Sequence, residues 1–146
     1  MPLRKIYQSE HSPIRTQLFW IEMINIPTFV SVHLVRHKIG VEHFVMSNRD
    51  DLGGKNNVES RLTPVNHAIL INAQALIFIG RRRLCYKSHR MTVAVMRKIV
   101  KAVREVDPDL ADYIVPECVY RNGYCPELSE CRPGLTNIVN AYQKNR

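Results

Sequence analysis

The segment Thr28 to Arg49 reads TFVSVHLVRHKIGVEHFVMSNR, and the rest of the chain is organised around it. An apolar run leads directly into Arg36, His37 and Lys38, and a second polar group, Ser47-Asn48-Arg49, follows after a short interval. Positively charged side chains with several hydrogen-bond donors are suited to binding phosphate. The segment therefore indicates an anion site next to a buried element.

The composition indicates one folded domain and an anionic partner. The chain has 146 residues, 45% of them hydrophobic, which is enough for one core. We therefore expect a single domain over residues 1–146. The 21 Lys and Arg against 13 Asp and Glu give a net charge of +8, which favours nucleotides, nucleic acid or acidic membrane without choosing among them.

The sequence predicts a cytoplasmic protein without a membrane segment. No window approaches the roughly 18 uninterrupted apolar residues of a membrane span, and Met1 to Glu10 has no apolar signal core. In a reducing compartment the four cysteines favour metal binding, chemistry or plain burial over disulfides.

Hydrophobic periodicity predicts the main elements. Alternation from Leu18 to Ile26 predicts a half-buried strand, which Pro27 ends. Thr28 to Val35 fits strand or helix, and we favour a helix. The nearly continuous apolar run from Asn66 to Ile79 predicts a buried helix, and Thr92 to Val106 predicts an amphipathic one.

The remaining segments are predicted to be shorter or irregular. Ser47 to Pro64 is polar and predicts a loop. Asp107 is expected to cap a short helix through Ile114. The chain beyond Pro116 looks irregular, and Leu135 to Arg146 is expected to form one last helical turn or to fray.

The arginines, histidines and cysteines are the candidate functional side chains. Arg81, Arg82 and Arg83 are expected to form a solvated helix end whose side chains point in different directions. His37 is expected to be neutral, because Arg36 and Lys38 lower its pKa. We expect no metal site, and a structural zinc is the less favoured alternative; its ligands would be Cys85, Cys118, Cys125 and Cys131.

Two regions of the sequence together resemble one enzyme family. Arg36-His37-Lys38 followed by Ser47-Asn48-Arg49 is similar to the Arg-His-Arg signature of the flavin-dependent thymidylate synthases. The segment from Asn72 to Arg83-Leu84-Cys85 resembles that family's second conserved region. His11-Ser12-Pro13 is similar to its N-terminal region, so the resemblance covers most of the chain.

The resemblance implies an α/β (α+β) fold with an antiparallel sheet flanked by helices, assembled as a homotetramer with active sites between subunits. It implies FAD as cofactor, with methylenetetrahydrofolate and NADPH as cosubstrates in the conversion of dUMP to dTMP. Another pyrimidine nucleotide or a base in DNA is an alternative substrate. A non-catalytic protein that binds nucleotide or nucleic acid is the other alternative.

The resemblance also assigns roles to particular residues. Arg36, His37, Lys38 and Asn72 would contact FAD, and Arg36 would also lie near the nucleotide. Ser47, Asn48 and Arg49 would hold the phosphate of dUMP, and Arg83 would bind and polarise the uracil.

Several positions depart from the family pattern. Lys38 replaces an arginine and loses the guanidinium fork. Gln74 also replaces an arginine, and Phe78 lies where a polar side chain that faces the flavin is usual.

Overall fold

The computed structural model describes residues 2–46, 61–131 and 135–143. This part of the chain is a mixed α+β structure with one three-stranded antiparallel sheet and with helices before, between and after its strands. A short 3-10 helix, Ser12–Arg15, precedes the first strand. The remaining elements, in chain order, are α1 (Leu3–Gln8), β1 (Leu18–Pro27), α2 (Thr28–Val35), β2 (Val41–Val45), β3 (Pro64–Asn72), α3 (Ala73–Arg83), α4 (Arg90–Val106), α5 (Pro108–Ala111), α6 (Glu117–Tyr120) and α7 (Leu135–Gln143).

The sheet has the strand order β1-β3-β2, and every pairing is antiparallel. Leu18 lies opposite Asn72 in β3, and Val45 of β2 lies opposite His67. The register of β1 against β3 shifts between Met23 and Ile26. The sheet thus confirms the expected antiparallel arrangement.

One face of the sheet is buried and the other is exposed. Side chains alternate across a strand, so Val65, His67, Ile69 and Ile71 of β3 all point to the same face and are buried there. Helices α2 and α3 contact this sheet, and α4 packs on both helices. The main core therefore lies between the sheet and these three helices.

The predicted buried helix from Asn66 to Ile79 is wrong in its first half. Residues up to Asn72 belong to β3, and only Ala73 onwards is helical. The β-branched residues of β3 suit a strand, and their strict alternation of burial is the strand period. Asn72 then starts the helix, because its side-chain Oδ1 accepts a hydrogen bond from the backbone N–H of Ala75 at 2.8 Å.

Most other predicted elements are confirmed. The strand from Leu18, the helix Thr28–Val35 and the amphipathic helix ending at Val106 are present. Strand β2 was not predicted. Asp107 caps α5 through a 2.8 Å bond from the N–H of Leu110, but the helix ends at Ala111 instead of Ile114.

The segment after Pro116 is less irregular than predicted, because it contains the short helix α6. The last helix, α7, has 9 residues, which is longer than a single turn. The predicted loop from Ser47 lies outside the described residues as far as residue 60. Within the described chain, no helix has the length and apolar character needed to cross a membrane.

Candidate functional site

Arg83 joins the end of α3 to the end of α2. Its Nε donates to Nε2 of His37 at 2.9 Å, and its Nη2 donates to the backbone carbonyl of His33 at 2.9 Å. Burial lowers the pKa of this guanidinium, and the charge of Arg36 lowers it further. The two sequence regions singled out above therefore meet at this arginine.

His37 is neutral in this arrangement. Its pKa is lowered to about 4, first by burial and then by Arg83, His43 and Arg82. A guanidinium only donates hydrogen bonds, so Nε2 of His37 accepts and the ring proton sits on Nδ1. The prediction of a neutral His37 is confirmed, but burial and Arg83 cause the shift, in place of the expected Arg36 and Lys38.

Arg36 and Lys38 are the exposed flanks of the site. Arg36 is the C-cap residue of α2, and its charge acts on both Arg83 and His33. Lys38 is exposed, and none of the described contacts of Arg83 or His37 involves it. The structure thus brings together Arg36, His37 and Arg83, with Lys38 next to them in sequence.

The three consecutive arginines point in different directions, as predicted. Arg81 pairs with Glu10 and stacks over the ring of Tyr120, with 3.5 Å between its Cζ and the ring centroid. Its side chain is only 12% exposed, so the expectation of a solvated residue is wrong for Arg81. Arg82 is exposed as expected. Of the three, Arg83 is the one bonded to His37.

Asn72 has a structural role that the sequence did not reveal. Its Oδ1 caps α3, and its backbone N–H donates to the carbonyl of Gly40 at 3.0 Å. Gly40 has a φ of +73°, and a Cβ there would lie 2.6 Å from Nδ2 of Asn72. Asn72 therefore fixes the turn between α2 and β2. Through this contact Asn72, which the resemblance assigns to FAD, lies near the segment that contains Arg36.

Gln74 and Phe78 show what the departures from the family pattern do here. Gln74 donates to the carboxylate of Glu10 at 2.5 Å, so it joins Arg81 in holding the N-terminal segment. Phe78 is 49% exposed, and its ring meets that of His37 edge-on with 6.1 Å between centroids. An exposed aromatic face therefore borders the arginine site.

Ser47, Asn48 and Arg49, the predicted phosphate ligands, lie outside the described residues. The described part of the candidate site consists of Arg36, His37, Lys38, Asn72 and Arg83.

A chain of hydrogen bonds leads from α2 through two histidines to His37. Ser31 Oγ and His67 Nδ1 are 3.0 Å apart, His67 Nε2 and His43 Nδ1 are 3.0 Å apart, and His43 Nε2 lies 2.6 Å from the carbonyl of His37. His67 is 1% exposed. His43 and His67 also line a surface cavity of about 560 Å³ together with Glu22 and Asn66.

Sequence reasoning missed this chain because it depends on strand pairing. His43 lies opposite Ile69, and His67 is two residues along β3 from Ile69 on the same face. Diagonal neighbours of this kind are within reach of long side chains. A correct prediction of β2 and β3 would have paired the two histidines.

All four cysteines line one small cavity. Cys85 follows α3, Cys118 lies in α6, and the other two lie in the segment after it; the cavity measures about 20 Å³. None of the four forms a disulfide. In the described part of the chain, no three His, Cys, Asp or Glu side chains are arranged to hold a metal ion. Zinc on these cysteines stays a hypothesis.

No family model matches this chain, and a comparison with curated proteins finds no match either. The geometry of the site indicates the kind of ligand it suits. Two arginines, a neutral imidazole and an exposed aromatic ring at one place suit an anionic ligand that also carries an aromatic ring system.

Proposed function

We propose that this protein is a methyltransferase of the flavin-dependent thymidylate synthase type. In this proposal it converts dUMP to dTMP with methylenetetrahydrofolate as the carbon donor, NADPH as the reductant and FAD as the cofactor. The proposal places it in the cytoplasm, in line with its free cysteines.

One observation carries the proposal. His37 lies in the first region that resembles a family signature, and Arg83 lies in the second, 46 residues further along the chain. A 2.9 Å hydrogen bond joins these two side chains. A chance resemblance in two separate segments would not require their side chains to meet. The contact therefore supports a common site built by both segments.

The residues present fit a flavin nucleotide and a nucleoside monophosphate. Arg36 is exposed and charged, so its guanidinium can bind a phosphate group through paired hydrogen bonds. Phe78 offers an exposed ring for contact with a heterocycle. In the proposal Arg36, His37 and Lys38 hold FAD, with Asn72 supporting them.

Each side chain of the site has a defined task in this proposal. FAD supplies hydride transfer when bound. Arg83 is positioned to stabilise negative charge that develops on the uracil carbonyls, because it is half-buried and charged. His37, neutral with its proton on Nδ1, keeps the Arg83 side chain in place through Nε2. Ser47, Asn48 and Arg49 would bind the dUMP phosphate.

The proposal includes a homo-oligomer, up to a homotetramer, with sites between subunits. Support comes from the sheet face opposite the core, where Leu18, Trp20 and Phe44 are each more than half exposed. Trp20 and Phe44 lie side by side there, with 5.3 Å between ring centroids. Contiguous exposed apolar side chains are typical of interfaces between subunits.

Two measurements on purified protein test the proposal. Titration with FAD should produce saturable binding with a change in the flavin absorption spectrum. Incubation with dUMP, methylenetetrahydrofolate, NADPH and FAD should give dTMP, detected by mass spectrometry. Failure to bind FAD at any concentration tested would rule out the flavin enzyme.

A base in DNA is the alternative substrate, and the exposed cations of α4 favour it. Arg97, Lys98 and Lys101 are exposed on one helix, whereas Arg104 is paired with Asp112 at 2.8 Å. Such a stripe is suited to a phosphate backbone.

Parallel assays with dUMP, dCMP and DNA separate the substrates. The DNA alternative predicts methylated base only in the DNA reaction, whereas product from dUMP alone rules this alternative out. A binding protein without activity would yield no product from any substrate.

A further inference from the structure

The hydrogen bonds from Ser31 to His37 have only one possible direction when both bridging histidines are neutral. The carbonyl of His37 can only accept, so Nε2 of His43 carries a proton and its Nδ1 is an acceptor. His67 must then donate from Nε2 to His43, which makes its own Nδ1 an acceptor. The hydroxyl of Ser31 completes the chain by donating to that nitrogen.

We propose that Ser31, His67 and His43 form a one-proton relay in which the tautomer of His67 reverses when the pair takes up a proton. This inference stands independently of the proposed enzymatic function.

The added proton has one stable position. If His43 becomes doubly protonated, its Nδ1 donates, so Nε2 of His67 must become the acceptor. The proton of His67 then sits on Nδ1, and Ser31 Oγ changes from donor to acceptor. All three hydrogen bonds persist in both states. The two that involve His67 reverse their direction, whereas His43 Nε2 donates to the carbonyl of His37 in both.

The burial of His67 decides which ring is charged. His67 is 1% exposed, and burial and the neighbouring His43 lower its pKa to about 4, so the relay places the added proton on His43, which lines the open cavity. Two adjacent imidazolium rings would also repel each other strongly, so the relay takes up only one proton.

The relay links the cavity to the arginine site. The titratable groups around the pair are Glu22 of β1, which lines the same cavity, and His37, whose pKa a charge on His43 lowers. Arg83 in turn is bonded to His37. A proton on His43 therefore adds positive charge beside His37 and keeps the His37 ring neutral.

Long-range ¹H–¹⁵N correlation NMR of the imidazole rings tests the relay, because it distinguishes the two neutral tautomers. At mildly alkaline pH both His43 and His67 should carry their proton on Nε2. On acidification His43 should become doubly protonated, and over the same pH range His67 should switch to the Nδ1–H tautomer while remaining neutral. A His67 that keeps its Nε2 proton throughout, or that is protonated before His43, overturns the proposal.

A variant and an internal control sharpen the test. In Ser31→Ala no hydroxyl remains to accept from the Nδ1–H of the switched His67, so this tautomer should be less populated at acidic pH than in the wild type. A His67 that switches as completely in the folded variant as in the wild type counts against the relay. His33 serves as the internal control. It is bonded to Thr92 at 2.9 Å and is not part of the hydrogen bonds that link Ser31 to His37, so its tautomer should not follow that of His67. Should Ser31→Ala not fold, the wild-type tautomers alone decide the question.

Discussion

Arg83 and His37 are 46 residues apart in sequence, yet the guanidinium Nε of one donates to the imidazole Nε2 of the other at 2.9 Å. The same arginine holds the carbonyl of His33, so it fixes the C-terminal turn of α2 from the last residue of α3. Through this pair, the two sequence regions that resemble the family signatures are in direct contact.

Replacing Arg83 should affect both chemistry and the titration of His37. Arg83→Ala should abolish dTMP formation under the proposed function, and Arg83→Lys should retain only part of it, because the fork is lost. The pKa of His37 should rise, since Arg83 contributes to lowering it. Activity assays and NMR titration measure the two effects.

Arg97→Ala is the matched control for Arg83→Ala, because Arg97 is exposed on α4. It should leave dTMP formation from dUMP and the pKa of His37 unchanged. Equal losses in both variants, each with wild-type circular dichroism, would show that the site assignment is wrong.

Acidification should destabilise the fold between pH 6.5 and about 4. The folded-state pKa values of His37 and His67 are lowered from 6.5 to about 4, so the unfolded chain binds more protons in this range. Their contribution to stability is fully present above pH 6.5 and is lost as the pH falls. Each histidine contributes a slope of at most about 1.4 kcal/mol per pH unit, and less where solvent screens it.

Urea unfolding at a series of pH values measures this slope. His37→Gln removes one of the two titrating groups and should make the curve shallower. His11→Gln is the control, because His11 is exposed and the curve should keep its slope. Stability that rises on acidification would show that the buried rings are not held neutral.

The fold was predictable where burial follows a single period. β1 alternates and α4 has one apolar stripe, so both were predicted close to their observed bounds. β3 and α3 adjoin without a break, and both are buried, so the sequence Asn66 to Ile79 reads as one apolar run. Only the N-cap role of Asn72 separates them, and a single asparagine within such a run is a weak signal.

The candidate site was predictable as a set of residues but not as a set of contacts. Arg36, His37 and Arg83 are neighbours in the structure, and their roles in binding stay a prediction. Arg81 could not be recognised as largely buried, because its partner Glu10 lies in a distant segment with an uncommon positive φ of 49°. Such pairs depend on how separate elements pack, which local periodicity does not encode.

A charge on the exposed sheet face should dissociate the proposed oligomer. Trp20→Lys places a cation among apolar side chains that would be covered in an assembly, so the molar mass in solution should fall. Size-exclusion chromatography with light scattering measures it. Val106→Lys, at a 73% exposed position at the end of α4, should leave the assembly intact. A wild-type monomer at all concentrations would contradict the oligomer.

The pair between Glu10 and Arg81 should contribute strongly to stability. Both side chains are largely buried, at 20% and 12% exposure, and Gln74 also donates to the carboxylate. Glu10→Gln removes the carboxylate paired with Arg81 and leaves Glu117 as the carboxylate that still acts on it, which should cost about 2 kcal/mol in urea unfolding. Glu105→Gln, on the exposed side of α4, should cost less than about 0.5 kcal/mol. Equal costs would indicate that the ion pair is not formed in solution.

The cysteines around the small cavity should react slowly with alkylating reagents near neutral pH. Burial raises the pKa of the Cys85 and Cys118 thiols, and alkylation requires the thiolate. Mass spectrometry of iodoacetamide-treated protein should therefore show modification of both residues that increases as the pH rises above 9. In protein unfolded with urea, both cysteines should react without this protection. Protection that persists at high pH and disappears only with a chelator would contradict simple burial and would favour bound zinc, because a metal-bound thiolate is shielded by its metal.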